Sequence, residues 1–497
     1  MQTFIDSYIR TLSGQFYINQ VIAIVLLVIY GIFMMAKMRG EKTSVLDLIL
    51  AYPLALAIYS VSGYFLLSAG IPFNRYTVII LMAVFMAGTC FLFRENHVSK
   101  NMLKKMLIFT GIMVCLAFIA VSGVIPVSAT NDSMYFFSEY PRALVHYGKL
   151  TATLDNFLTD ASQGIAVIGT LPFFYGFDEM FGVQTLLNID FFAFFAYSVY
   201  EYAYKKLNKK EAYIMSGVAA LMLITSMPFV LMSRWLMANA FFMEYMTIIV
   251  YMAYKYSLKE KREPADLIIL SVLITGISIM RMEGALNAGV LILCIMMLGY
   301  SNKELVAYFI CPVLLLQAMY LYRIFGILTL HTQIQFMTEK KAIILIAFLV
   351  FIALYILFIR GKLFIKYEKY YPIMLTMGLI LVNALVLFYD SSNYLINSKA
   401  FVGNILKNSG WGLFASFVVG VLILIPKRSI KINYFDFTAI CYILLTVVAG
   451  WARGDALYES FGDSGNRIMI QVVPLLLFAL TVKIVEGLEY WKKENSK

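Results

Sequence analysis

The feature that most constrains this chain is an apolar run of roughly 18–22 residues that recurs along almost its whole length. A run of that length crosses the hydrocarbon core of a bilayer as a helix, and these runs lack the alternation of membrane-barrel strands. The composition agrees, because 61% of the 497 residues are hydrophobic and only 14% are charged. The sequence therefore predicts an all-α, polytopic helical membrane protein.

We expect about fifteen membrane spans, with ends uncertain by a few residues. They fall at about 18–36, 45–69, 76–93, 106–125, 183–204, 212–230, 236–254, 264–280, 284–300, 305–322, 342–359, 371–389, 411–426, 434–451 and 468–486. A further apolar patch, 164–177, is broken by Pro172 and Gly176 and is expected to be interfacial or re-entrant.

The basic residues orient these spans. With the N-terminus outside, loops on one face hold 26 of the 40 Lys and Arg residues, loops on the other face hold 13, and Lys483 lies at a span edge. The positive-inside rule assigns the face with 26 to the cytoplasm, so the C-terminus is predicted to be cytoplasmic. The net charge of +11 then reflects topology and attraction to anionic lipid, and no nucleic-acid partner is expected.

Arginine is concentrated on the predicted outer face. Eight of the 13 outer basic residues are Arg, against five of the 26 inner ones. Arginine suits sites where a planar fork grips a phosphate or carboxylate, although anchoring at headgroup depth is the structural alternative. The longest segment between spans, 126–182, also lies outside, which predicts an extracytoplasmic site. The outer arginines are Arg10, Arg75, Arg142, Arg234, Arg281, Arg323, Arg453 and Arg467.

Polar groups gather in SATNDSMYFFSEYPRALVHYGKL, residues 128–150. Asp132 follows the predicted span end at Pro126 by about six residues, and it suits either a helix N-cap or a general base at the membrane surface. Pro141 is expected to break the preceding amphipathic run and to start a short helix, which Gly148 closes. Glu139, Arg142 and His146 follow at spacings of three and four. Structural roles for the arginine and the histidine stay open.

An enzyme outside the cytoplasm lacks nucleotide sugars, so its activated group must arrive on a lipid. A polyprenyl-phosphate sugar already carries a good leaving group and needs no proton from an acid. One carboxylate that deprotonates the acceptor is then sufficient, together with cationic forks that stabilise the departing phosphate. A single Asp132 with several outer arginines fits this transfer chemistry better than hydrolysis, which needs two carboxylates as a pair.

Several stretches carry a resemblance to a known family. TNDSMYFF (130–137) is followed by LVHYGKL (144–150) and by the patch LPFFYGFD (171–178). This order resembles the first outer loop of GT-C fold glycosyltransferases, the polyprenyl-phosphate-sugar-dependent enzymes related to protein mannosyltransferases and lipid A aminoarabinose transferases. Residues 281–284, Arg-Met-Glu-Gly, are similar to an Arg-x-Glu-Gly turn of such proteins, and GNRIMIQVVP (465–474) is similar to their late outer edge.

The resemblance covers about 125–285 firmly and is thin beyond. It implies a GT-C-like fold with juxtamembrane helices in the first large outer loop, Asp132 as catalytic base and Arg467 at the donor phosphate. It divides the chain into an N-terminal three-span extension (1–105), a GT-C-like catalytic module (106–330) and a variable C-terminal module with outer loops (331–497). The chain departs from the family because three spans precede the one that leads to Asp132.

The chain also departs from the family because no second carboxylate is adjacent to Asp132. Such a carboxylate could come from Asp155, Asp160, Asp178 or Glu179. No cofactor is assigned, and dependence on a divalent metal is left open. Candidate donor-phosphate ligands are Arg467, Arg281, Arg234 and Arg453. Candidate substrate contacts are Glu139, Arg142, His146, Asp155, Asp160, Glu283 and His331.

The expected function is inverting transfer of a sugar from a polyprenyl-phosphate donor to a cell-envelope glycan, lipid or protein. The expected location is the bacterial plasma membrane, with the active site outside. Two alternatives stay open: a polysaccharide polymerase or ligase that uses undecaprenyl-diphosphate-linked chains, and a transporter of a lipid-linked sugar.

Four further charged residues are expected to be embedded or to lie at the membrane edge. Arg281 and Glu283 are close enough in sequence to pair with each other instead of with substrate. Asp190 and Glu244 fall inside predicted spans, where each is expected to have a polar partner or a cavity.

Overall fold

The computed structural model describes residues 17–125, 127, 135–156, 163–177, 180–281, 283–330, 337–360, 370–407, 430–452 and 471–495. Within these ranges the regular structure is helical, and no β-strand occurs. Apolar helices of membrane-spanning length recur throughout, which confirms the prediction of a helical membrane protein.

Ten helices form the first half of the described chain. They are α1 (Ile18–Arg39), α2 (Val45–Ile49), α3 (Ala51–Ala69), α4 (Arg75–Leu92), α5 (Lys100–Val121), α6 (Tyr140–Tyr147), α7 (Gln163–Ile168), α8 (Leu171–Tyr175), α9 (Phe181–Tyr204) and α10 (Lys209–Thr225). A π-helical turn, Tyr135–Glu139, leads directly into α6.

Ten more helices complete the described part. They are α11 (Met227–Arg234), α12 (Ala238–Ser257), α13 (Pro264–Met280), α14 (Gly284–Ile295), α15 (Asn302–Ile327), α16 (Glu339–Ile359), α17 (Tyr371–Tyr389), α18 (Ser391–Lys407), α19 (Ile430–Ala452) and α20 (Val473–Asn495). Among the described residues, nine helices are long and apolar enough to cross a membrane: α1, α3, α4, α5, α9, α15, α16, α17 and the 434–452 part of α19.

Fourteen of the fifteen predicted spans overlap described helices, and the remaining one, 411–426, lies outside the described residues. Several helix ends differ from the predicted span ends: α5 begins at Lys100 instead of residue 106, and α20 ends at Asn495 instead of residue 486. α5 ends at Val121 and not at residue 125, because Gly123 takes a left-handed φ of 75° that turns the chain. Asp132 therefore follows its span by eleven residues and not by six.

Two predicted spans are broken helices. The span 45–69 is divided at Leu50 into α2 and α3, since Pro53 has no N–H for a helical bond to Ile49. The span 212–230 is divided at Ser226, shortly before Pro228, and α11 carries the chain on to residue 234.

Close backbone approach and buried charge join the first helices to α13. A Cβ atom on Gly31 of α1 would lie 1.9 Å from the carbonyl oxygen of Ala51, so only glycine allows this crossing. Arg39 at the end of α1 lies 2.5 Å from Asp266 of α13 and 3.4 Å from Asp47 of α2. These buried contacts hold one end of the bundle together.

Helices α9 and α12 run parallel to each other. At their N-terminal ends the Met237 amide donates to Gln184 Oε1 at 3.2 Å, and at their C-terminal ends Lys255 donates to Glu201 at 2.8 Å. We call the end of the bundle that carries their N-termini the outer end, following the predicted orientation.

Candidate functional site

The predicted site residues divide into two groups. Outside the described residues lie Asp132, Asp160, Asp178, Glu179, His331, Arg453 and Arg467. The backbone of Asp155 belongs to a short 3₁₀ helix, Ala152–Asn156, but its side chain is not described. Described side chains are Glu139, Arg142, His146, Arg234, Arg281 and Glu283.

Arg281 and Glu283 form an ion pair at the outer end of the bundle. Arg281 follows the last residue of α13 with an extended backbone, which directs its side chain away from that helix axis. Its Nε donates to Glu283 Oε1, and its Nη1 donates to Asn239 Oδ1 at the start of α12. The two side chains are only 13% and 10% exposed. The predicted pairing is confirmed, and the guanidinium is held in a fixed orientation.

Two further residues extend this group, which we call the Arg281 cluster: Asn239, Arg281, Glu283, Tyr442 and Gln471. Tyr442 of α19 lies within electrostatic range of Arg281 and Glu283. Its hydroxyl donates to Gln471 Oε1, just before α20, at 2.8 Å. The cluster thus joins the start of α12, the turn between α13 and α14, the middle of α19 and the residue before α20.

The Arg281 cluster keeps unsatisfied hydrogen-bonding groups. Oε2 of Glu283 and Nε2 of Gln471 are buried and have no hydrogen-bond partner within the described part of the chain. The carboxylate oxygen is an acceptor and the amide nitrogen is a donor. Buried polar atoms of this kind point to a water or ligand group at the site.

The helical segment after Asp132 packs against α12. Tyr135 begins the π-helical turn three residues after Asp132, and the ring of Phe137 lies 6.4 Å from that of Phe241, centre to centre. Phe241 follows Asn239 of the cluster by two residues on α12. The described start of this segment is therefore anchored against the first turn of α12, the helix that carries Asn239.

Helix α6 has the predicted end but not the predicted break. Gly148 closes it with a left-handed φ of 64°, as predicted. Pro141 lies in the first turn of α6, where a missing N–H costs no bond, so it starts this helix as predicted. The preceding π-helical turn leads directly into α6, so Pro141 does not separate the two helical segments.

The three polar residues of this segment face outward. Glu139, Arg142 and His146 are all exposed. The Arg142 guanidinium lies 5.6 Å from the centre of the Phe173 ring, and the His146 ring contacts Tyr147 edge to face. None of the three has an ion pair or a side-chain hydrogen bond within the described ranges, so they stay accessible to a substrate.

The apolar patch at 164–177 is packed inside the protein. Every residue from 163 to 172 is buried. Ser60 of α3 donates to the Gly164 carbonyl at 2.9 Å, and the hydroxyls of Tyr59 and Thr170 are 2.9 Å apart. This part of the patch is therefore occupied by neighbouring helices and offers no open surface groove.

Arg234 ends α11 with an exposed side chain. Its neighbours are held by α9, because Asn188 donates to the Ser233 carbonyl at 2.8 Å and Gln184 donates to the Trp235 carbonyl at 2.7 Å. The turn before α12 is thereby fixed, and the Arg234 guanidinium points away from it toward the surface.

Sequence reasoning missed Asn239, Tyr442, Gln471 and the two α9 amides. Each is a lone polar residue in or beside an apolar run, and that was the one signal that could have singled them out.

Asp190 and Glu244 are buried as predicted, and of the expected surroundings, a polar partner or a cavity, the described residues supply no basic partner. Among the described residues neither carboxylate makes a hydrogen bond or an ion pair with a basic group. The described residues also contain no group of three or more His, Cys, Asp or Glu side chains arranged to hold a metal ion.

Comparison with known proteins adds no assignment at this point: no protein-family profile, characterised protein or solved structure is detectably similar to this chain.

Proposed function

We propose that this protein is an inverting glycosyltransferase of GT-C type with about fifteen spans. It moves a sugar from a polyprenyl-phosphate donor to an acceptor in the cell envelope, on the extracytoplasmic face. Asp132 is the general base, and Arg467, Arg281, Arg234 and Arg453 are the candidates for binding the donor phosphate.

The observation that carries the proposal is the position of the Arg281 cluster in the chain. Tyr442 and Gln471 stand on either side of the segment that contains Arg453 and Arg467. Phe137, five residues after Asp132, packs against Phe241 of α12, the helix that carries Asn239. Gln471, four residues after Arg467, thus belongs to the Arg281 cluster, and the segment after Asp132 packs against α12, the helix that contributes Asn239 to it.

The chemistry requires three events at this place. Asp132 takes the proton of the acceptor hydroxyl, and the acceptor oxygen forms a bond to the anomeric carbon. The bond from that carbon to the phosphate oxygen breaks, and its electron pair leaves with polyprenyl phosphate. Attack from the face opposite the phosphate inverts the anomeric configuration. The arginines stabilise the charge that develops on the phosphate.

The Arg281 cluster can contribute charge and hydroxyl recognition. Glu283 neutralises Arg281 in the resting protein, which lowers the cost of keeping the guanidinium in a buried place. Oε2 of Glu283 and Nε2 of Gln471 offer an acceptor and a donor for sugar hydroxyls. The donor tail does not enter the patch at 163–172, because that patch is filled.

The test uses full-length protein in nanodiscs and a panel of polyprenyl-phosphate hexoses and pentoses. Release of polyprenyl phosphate, together with formation of a new glycosidic bond on envelope lipid or glycan extracts, measures transfer. Asp132→Asn is expected to lower kcat by about 100- to 10,000-fold, the usual contribution of a general base. Arg467→Ala is expected to raise the donor KM.

The polymerase or ligase alternative is separated by the same variants. It predicts activity with a diphosphate-linked chain, loss of that activity in Arg453→Ala and Arg467→Ala, and little effect of Asp132→Asn. Wild-type transfer by the Asp132→Asn variant would refute the role proposed for Asp132.

A second candidate function, transport of a lipid-linked sugar, is favoured by one observation. Asp190 and Glu244 are unpaired acids buried within the helical bundle, and such residues are common in ion-coupled transporters. Transport predicts movement of the lipid-linked sugar across vesicle membranes with no new glycosidic bond. The two products distinguish the functions.

A further inference from the structure

Most buried acids in the described part of this chain pair with a basic residue, and two do not. Six acidic residues are buried, and four of them pair with lysine or arginine. The pairs are Asp47 with Arg39, Asp266 with Arg39 and Lys259, Asp436 with Lys483, and Glu486 with Lys206. Asp190 is 3% exposed and Glu244 is fully buried, and neither has such a partner.

The register of α9 against α12 brings these two exceptions together. Glu201 of α9 accepts from Lys255 of α12, and these residues are 54 positions apart. Asp190 and Glu244 are also 54 positions apart. Asp190 lies eleven residues before Glu201 on α9, and Glu244 lies eleven residues before Lys255 on α12. Eleven residues make about three helical turns, so in parallel helices the two acids lie on the same facing surfaces at a common level.

The electrostatics agree with this register. Glu244 lies within electrostatic range of Asp190. Glu244 follows the outer end of α12 by six residues and Asp190 follows the outer end of α9 by nine, which places them about 9 and 13 Å inside the bundle, respectively. That depth lies within the hydrocarbon core of a bilayer. The facing surfaces of α9 and α12 thus carry the Glu201–Lys255 ion pair at one level and the two acids, Asp190 and Glu244, at the other.

Two tyrosines complete the surroundings of the acids. Tyr52 of α3 and Tyr245 of α12 lie within electrostatic range of both carboxyls. Their hydroxyls donate elsewhere, Tyr52 to the Val183 carbonyl at 3.0 Å and Tyr245 to the Pro53 carbonyl at 2.6 Å. The tyrosine protons therefore do not satisfy the acids, but the hydroxyl oxygens keep lone pairs. These two phenols are the titratable groups that face the acids from α3 and α12.

The carboxylates themselves are open to a ligand. Both oxygens of Glu244 and Oδ2 of Asp190 are buried without a hydrogen-bond partner in the described ranges. Two ionised carboxylates side by side in an apolar interior repel each other and lose their hydration, so a positive charge must stand between them.

We propose that Asp190 and Glu244 form an intramembrane binding site for one monovalent cation, either a proton or Na⁺. Both ions supply a single positive charge that carboxylate oxygens can take up directly. The site is independent of the proposed glycosyl transfer, since no residue of the Arg281 cluster belongs to it.

The first test is labelling with dicyclohexylcarbodiimide, an apolar reagent that adds to protonated carboxyl groups. Full-length protein in nanodiscs is treated at several pH values, and modified peptides are identified by mass spectrometry. We expect modification at Asp190 or Glu244 that declines as pH rises. Glu201, which forms an ion pair with Lys255, is the internal control.

Added salt distinguishes the two ions. Protection by NaCl, but not by choline chloride of equal ionic strength, identifies Na⁺ as a ligand. Labelling that depends on pH but responds to neither salt identifies the proton. Both results support the site. Absence of labelling at either acid at every pH and without Na⁺ would overturn it.

Thermal stability supplies a second readout. In choline chloride the wild-type melting temperature is expected to fall as pH rises, because loss of the proton leaves two like charges buried. NaCl restores the melting temperature if Na⁺ binds. The near-isosteric double variant Asp190→Asn/Glu244→Gln is expected to lose this pH dependence and any Na⁺ response. A pH dependence identical to that of the wild type in the double variant would contradict the proposal.

Discussion

Replacing Arg281 with methionine separates the structural role of the Arg281 cluster from its proposed donor-binding role. The substitution removes the donors to Glu283 and Asn239 and leaves the Glu283 carboxylate, which is 10% exposed, without its cation. Breaking a buried pair in this way costs about 3–5 kcal/mol, and the residual exposure favours the lower figure. We therefore expect Arg281→Met to lower the free energy of unfolding by about 3 kcal/mol.

The double variant Arg281→Met/Glu283→Gln removes both charges. Since no unpaired charge then remains, its stability should return to within about 1 kcal/mol of the wild type. If Arg281 binds the donor phosphate, the loss of one charge-assisted contact is worth about 1.5–3 kcal/mol. The donor KM of the double variant should then rise about 10- to 100-fold.

Steric trapping in bicelles measures the free energy of unfolding, and polyprenyl-phosphate release measures KM. A loss below about 1 kcal/mol in the single variant would show that the buried ion pair is not formed. A double variant with normal stability and a wild-type KM would remove Arg281 from the phosphate site and leave it a structural residue.

Two further predictions test the packing and the outer surface. A Cβ on Gly164 would lie 2.8 Å from the Ser60 hydroxyl and 3.0 Å from a backbone carbonyl oxygen of α13, so Gly164→Ala should cost about 1–3 kcal/mol. The control Gly111→Ala lies in α5 with open space around it, so it should be neutral or stabilise the protein by up to about 1 kcal/mol. Equal effects of the two substitutions on stability would contradict the buried position of α7. The Trp451 indole donates to Asp390 at 3.0 Å and lowers the pKa of that carboxyl in the folded protein. The contact therefore stabilises the fold fully at pH values above the pKa that Asp has in the unfolded chain. This stabilisation is lost as the pH falls through the lower pKa of the folded protein. Trp451→Phe should therefore be less stable than the wild type at pH 7, with the difference shrinking below about pH 4 in melting curves, and a difference independent of pH would refute this reasoning.

Local chemistry predicted the short helix of the first outer loop well. Pro141 at its start and Gly148 at its end act within a single turn of the chain, and the structure has both. The pairing of Arg281 with Glu283 was also within reach, because two residues on one turn need no knowledge of other helices.

Long-range packing decided what the sequence could not show. Asn239 and Tyr442 join the Arg281 cluster from helices distant in sequence, and nothing near them in the chain marks that contact. The juxtaposition of Asp190 with Glu244 depends on the parallel register of α9 and α12, which hydropathy does not encode.

The predictions of helix breaks and helix ends failed for a related reason. Apolar runs were measured by length, so the turn at Gly123 and the break at Leu50 were both passed over. A left-handed glycine or a proline three residues into a helix is a local signal, but hydrophobicity alone does not register it.

The most direct test of the proposed function is the rate at which the Asp132→Asn variant releases polyprenyl phosphate, measured beside the wild type in nanodiscs with an active donor. Proton transfer to Asp132 predicts a kcat lower by about 100- to 10,000-fold, with a donor KM and a melting temperature close to those of the wild type. A wild-type kcat in the folded variant would contradict the central claim that Asp132 is the base for glycosyl transfer.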